Sequence, residues 1–140
     1  MWLYNVKNTF LERLPHDGDL LLSIRNTFAS KNIGMGTFMA IGAVKNARMA
    51  FYGQSDKTFE NLSVDEPAEI LSCFGNISEV DGEIFAHAHI VLGLKDGTAK
   101  GGHLVEGTAI FACELFGVKL EGEQLRRRYD DVTGLKLWGP

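Results

Sequence analysis

The chain has little of what would staple or anchor it. Its 140 residues include two cysteines, Cys73 and Cys113, each in an apolar stretch and neither in a C-x-x-C pair. That excludes a disulfide framework and reads as buried reduced thiols, which suits a cytoplasmic protein. The three prolines, Pro15, Pro67 and Pro140, are too few for a Pro-rich linker, and none stands beside an arginine. No apolar run approaches the ~18 residues that span a bilayer as a helix, and Met1 to Lys7 lacks the basic flank and apolar stretch of a secretory leader. Neither a membrane nor export is therefore expected. Basic residues are also scarce: 14 Lys and Arg against 18 Asp and Glu give a formal net charge of −4. A broad nucleic-acid-binding surface is excluded, and any phosphate contact must be local.

What is present favours strands. A 45% hydrophobic content is enough for one core at this length. The 16 glycines punctuate short apolar runs as turns punctuate strands. An initial strand runs from Leu3 and through the alternation around Phe10 to Leu14, until Pro15-His16-Asp17-Gly18 breaks it. A helix follows, capped by Asp17 or Asp19, with Leu20, Leu21, Ile24 and Phe28 on one face. Strands are then expected over 36–41, 43–52, 58–64, 68–76, 83–92, 100–106 and 108–120, with the tail ending as an edge strand. No repeat or linker marks a second domain, so residues 1–140 read as one unit.

The chemistry gathers on one expected hairpin. His87 and His89 are two apart on a strand and share a face, and His103 follows after Lys95-Asp96-Gly97. If all three of those residues form the loop, with Gly97 left-handed, Leu94 pairs with Thr98 and His89 faces His103. A two-residue Asp96-Gly97 loop shifts the register by one and turns His103 away. Along the first strand Ile84, Ala86, Ala88, Ile90 and Leu92 take one face, and Phe85, His87, His89 and Val91 the other. A sheet apolar on both faces calls for cover beyond one helix, which neighbouring subunits supply.

Several segments together resemble the plant-and-prokaryote conserved (PPC) domain. They are Gly42-Ala43-Val44 with the strand into Tyr52, Glu69-Ile70-Leu71-Ser72 leading to Gly75-Asn76-Ile77, Phe85-x-His87-x-His89, and Gly101-Gly102-His103-Leu104. The closing Arg127-x-Tyr129-Asp130 with Thr133-Gly134-Leu135 fits the stand-alone prokaryotic members. The resemblance implies an α+β fold, a mostly antiparallel sheet with one helix packed on it, assembling as a homotrimer. It also implies DNA or a regulatory protein as partner, since plant members follow AT-hooks in nuclear DNA-binding proteins and prokaryotic members often carry a DNA-binding label. The minor-groove-reading Arg-Gly-Arg-Pro core of the plant proteins is absent from this sequence.

Two readings of the histidines stand. In one, His87, His89 and His103 hold zinc or another divalent transition metal, as the resemblance to some prokaryotic members also implies, with an open position for water or a carboxylate. In the other they are a structural cluster of neutral rings donating to carbonyls or carboxylates. A binding or regulatory module without catalytic residues is the first functional reading. A small metal-dependent enzyme is the alternative, with Glu69 as fourth ligand or base, or Glu106 as base. Arg126, Arg127 and Arg128 are candidate phosphate contacts, offset by Asp130 and Asp131; a solvated strand face or intersubunit ion pairs is the other account. His16 reads as a solvated helix-entry residue, and Gly34-Met35-Gly36 as a tight turn rather than a phosphate loop.

Overall fold

Alternation along the apolar runs decides the architecture, because each strand turns one row of side chains inward and the other out. A computed structural model describes residues 1–139, among which are ten strands and one helix. They are β1 (Asn5–Leu14), α1 (Leu20–Ser30), β2 (Gly36–Val44), β3 (Ala47–Gly53), β4 (Thr58–Val64), β5 (Ala68–Val80), β6 (Glu83–Gly93), β7 (Ala99–Leu104), β8 (Ile110–Glu121), β9 (Arg126–Asp130) and β10 (Leu135–Gly139). The main sheet runs β1-β8-β2-β5-β6-β7-β3-β4, antiparallel throughout. β9 and β10 form a hairpin that joins it through one parallel pairing, Glu79 with Arg126. The expected α+β architecture, a mostly antiparallel sheet with one helix, is what the chain adopts.

Asp19 rather than Asp17 caps the helix, its Oδ1 accepting from the Leu22 N–H at 2.9 Å. That bond satisfies one of the N–H groups a helix start leaves unpaired. Asp17 instead takes a left-handed conformation, with φ 62°. Leu20, Ile24 and Phe28 recur at helical spacing and are fully buried, against a sheet face that carries Phe38, Ile90 and Leu115. Phe28 meets Phe10 edge-on, ring centroids 5.1 Å apart. Burying each such side chain contributes about 1.5–3 kcal/mol, so this face holds helix to sheet.

Three expectations are corrected. Gly42 does not separate two strands: it lies inside β2, with φ 145°, beside bulges at Leu71 of β5 and Phe111 of β8, and the bend falls at Lys45-Asn46. There the chain leaves its neighbours β5 and β8 and crosses to pair with β4 and β7. β5 continues beyond Asn76 to Val80 and turns into β6 on Asp81-Gly82, both with positive φ (53° and 86°), as a two-residue hairpin of type I′ requires. The tail is two strands rather than one, folded back through a turn closed by Gly134.

On the face away from the helix, one cross-strand row runs Leu11, Phe116, Met39, Phe74, His89, His103. Leu11, Met39 and Phe74 are each more than half exposed (80%, 51% and 58%).

Candidate metal centre

The β6–β7 turn sets the site. Leu94 N–H donates to the Thr98 carbonyl and Gly97 N–H to the Leu94 carbonyl, each at 2.9 Å. Gly97 has φ 84°, a conformation that costs other residues about 1–2 kcal/mol. Asp96 Oδ1 accepts from Thr98 N–H at 2.9 Å and from its hydroxyl at 2.7 Å, fixing the loop from within. The loop is therefore three residues, and His89 lies directly opposite His103.

The three rings converge. Centroids are 5.2 Å apart for His87 and His89, 4.9 Å for His87 and His103, and 5.5 Å for His89 and His103. One ring nitrogen from each lies within 4.8 Å of the others. A tetrahedral zinc with Zn–N of about 2.0–2.1 Å spaces its ligand atoms ~3.3 Å apart, so small ring rotations close the set onto one ion. Burial, then the positive Arg127 and the two neighbouring imidazoles, push the His87 pKa down to about 4. Burial first, then His89 and Arg127, lower that of His103 as well. Both rings are thus neutral near pH 7, the form a metal requires. The donor set fits a borderline-soft divalent ion.

Arg127 is the neighbour that sequence reasoning placed elsewhere. Alternation in β9 turns Arg126 and Arg128 outward and Arg127 inward, where it is 9% exposed. Its Nε donates to Ser78 Oγ, Nη1 to the Lys136 carbonyl and Nη2 to Asn76 Oδ1, each at 2.9 Å. Nη2 also lies 3.3 Å from His87 Nδ1, which accepts in the metal-free chain; with Nε2 on a metal, Nδ1 carries the ring proton and this contact is given up. Phe85 and Trp138 flank the guanidinium, each ring centroid 5.5 Å from Cζ. The three arginines therefore form no common basic surface, and Arg126 pairs with Glu79 at 3.0 Å. The signal was in the sequence as a period of two; the residue waiting on the inner side was not.

The two carboxylates do not reach the histidines within this chain. Glu69 pairs with Gly93, four residues along β6 from His89, or about 13 Å at strand rise. Glu106 lies past the end of β7, in a separate hollow beside Arg48 and Asn61. Instead, the histidines open into a pocket of about 740 Å³ walled by Phe59, Phe85 and Leu137 among others. Phe59 packs at 5.4 Å from His103, centroid to centroid. His16 stands apart, 2.7 Å from the Phe111 carbonyl.

A profile of the Plants and Prokaryotes Conserved (PCC) domain matches residues 3–121. The chain is similar to a metal-containing protein from Archaeoglobus fulgidus, at 40% identity over 100% of this chain and 99% of that one, with a TM-score of 0.95. A plant- and prokaryote-conserved (PPC) protein from Pyrococcus horikoshii is 33% identical over 100% and 96%, with a TM-score of 0.94. A candidate DNA-binding protein from Bacteroides thetaiotaomicron shares the fold at 24% identity over 97% and 96%, with a TM-score of 0.86. No curated protein matches.

Proposed function

Because the chain belongs to the Plants and Prokaryotes Conserved domain family, we propose that it is a homotrimeric binding or regulatory module holding a divalent transition metal, zinc first, on His87, His89 and His103. The observation that carries this reading is the convergence of three imidazole nitrogens within 4.8 Å at the floor of a pocket. That a relative at 40% identity is described as metal-containing supports it. A bound ion supplies an electrophilic ligand position; the chain supplies three imidazole nitrogens and apolar walls beside them. Elemental analysis of the purified protein is expected to find one metal per chain. Protein that stays metal-free after incubation with zinc overturns the reading.

Self-assembly has a physical motive in the exposed row that ends at the histidines. Leu11, Met39 and Phe74 lie in one row on β1, β2 and β5, with Phe116 of β8 between the first two, and face water in a single chain, an arrangement that calls for a partner surface. Light scattering is expected to return three times the chain mass, and a monomer contradicts the assembly.

DNA is the partner that the names of more distant structures carry over. With Arg127 turned inward and Arg126 paired to Glu79, Arg128 is the one arginine of the run left for phosphate, giving three per trimer. The logarithm of duplex affinity should then fall with that of salt at a slope of about −3, rather than the −8 of nine free arginines. No binding at low salt removes DNA from the reading.

A further inference from the structure

The charged groups lining the pocket above the histidines are of one sign, Arg127 and Lys136, beside three imidazoles, Tyr52 and Gln54, with no aspartate or glutamate. The four groups that Arg127 meets are all neutral: a hydroxyl, an amide oxygen, a backbone carbonyl and an imidazole nitrogen. Among the described residues it forms no ion pair. Lys136 pairs outward with Asp81 at 2.7 Å, so that carboxylate does not answer Arg127 either. A buried cation without an anion is costly, and a dication on the histidines adds charge of the same sign. What the site lacks is a negative charge, and the protein does not supply one here.

The rest of the pocket describes the body that would carry the charge. Phe51, Tyr52, Phe59, Phe85, Leu135 and Leu137 make its walls apolar. Its volume of about 740 Å³ lies within the ~300–1,000 Å³ range of small-molecule sites. A guanidinium has about five N–H donors. Three bonds, to Ser78, the Lys136 carbonyl and Asn76, draw on them, and a metal on His87 frees the N–H that otherwise meets Nδ1. One metal position and one guanidinium suit the two oxygens of a carboxylate, whereas the third oxygen of a phosphate would face the apolar walls.

We propose that this pocket binds a small carboxylate with a ring-sized apolar body, its acid group between the histidine centre and Arg127 and its body against Phe59 and Leu137. The inference rests on the metal reading for the ligand position that one carboxylate oxygen fills. It makes the module a sensor or carrier of an apolar organic acid.

Calorimetric titration of the zinc-treated protein with 3-phenylpropionate, its neutral amide, acetate and phenyl phosphate tests this, with zinc content measured on the same sample. The acid is expected to bind at least tenfold more tightly than the amide, which lacks the charge, and than acetate, which lacks the body. Phe59→Ala, at a half-exposed wall position, is expected to weaken 3-phenylpropionate about tenfold and leave acetate unchanged. Full zinc content with no preference for acid over amide overturns the inference and leaves the metal centre standing. Tighter binding of phenyl phosphate overturns the carboxylate assignment. A clear acid preference in protein that holds no zinc overturns the metal reading and supports Arg127 alone as the anchor.

Discussion

Replacing Arg127 with alanine is expected to lower stability by about 2–4 kcal/mol, a large effect for a residue outside the helix-packed core. The guanidinium links Ser78 and Asn76 of β5 to the Lys136 carbonyl of β10. Removing it leaves polar groups short of partners and opens the space between Phe85 and Trp138. Opposing this, an unpaired buried cation disappears, which by itself is favourable. We expect the lost hydrogen bonds to dominate, because there are several of them and hydrogen bonds to charged groups contribute about 1.5–3 kcal/mol each. The melting temperature should then fall by roughly 10 °C, at about 2–4 °C per kcal/mol for a chain of this size. Arg127→Met separates the contributions: it retains much of the packing and none of the donors. A variant more stable than the parent in urea melts shows that desolvation of the cation outweighs its bonds. Hydrogen exchange adds a spatial test, since the amides of β9 and β10 should lose protection before those between β5 and β6.

His89→Ala is expected to reduce metal affinity by at least a hundredfold, more than the ~10–100-fold that loss of an outer-shell partner costs. His89 is the most exposed of the three rings and packs least with the core, so the variant should keep its fold. Unchanged metal content would reject the centre. The pH dependence follows from the lowered pKa values. With His87 down near 4 and His103 also lowered, protons compete poorly at those two rings, and metal should stay bound when the pH drops below 6.5. Stability of the metal-free protein has the opposite sense. Its unfolded chain takes up a proton at His87 near the ordinary pKa of about 6.5, while the folded chain does not until about 4. The unfolded state therefore binds more protons in that window, and stability, full above pH 6.5, is lost as the pH falls toward 4. Thermal melts between pH 7.5 and 5, above most carboxylate titrations, should show the decline, and His87→Asn should flatten it.

The sheet was legible because its strands obey a period of two and its turns carry recognisable chemistry. Lys95-Asp96-Gly97 is the clearest instance: a glycine able to take φ 84° and an aspartate able to hold Thr98 together select the three-residue loop, and the loop brings His103 opposite His89. The Lys45-Asn46 bend was hidden because apolar residues continue on both sides and nothing local shows that the chain changes partners there. Gly42, the more obvious interruption, stays in register within β2, and the bulges fall on its neighbours β5 and β8. Local pattern also left the surroundings of the histidines open. Arg127 lies 40 residues from His87 in sequence and reaches it because β9 joins β5 at Glu79. Glu69 has the right chemistry for a ligand or base, but the register of β5 on β6 sets it opposite Gly93. Spacing along a strand indicates which residues share a face; pairing between distant strands decides which of them meet.

The β9–β10 hairpin follows the last strand of the main sheet and is held by one backbone pairing, the bonds of Arg127, the ion pairs of Arg126 and Lys136, and donations from Tyr52 and Lys57 to the carbonyls of its turn. It provides Leu135, Leu137 and Arg127 to the pocket, while the imidazoles come from β6 and β7. The imidazoles thus sit in the sheet while one wall and the neighbouring cation arrive on the C-terminal stretch, with Arg127 against His87 as the joint between them. Exchange of Leu135 and Leu137 with Arg127 kept would re-tailor the cargo and spare the ion, a short evolutionary route to new ligands on an old scaffold.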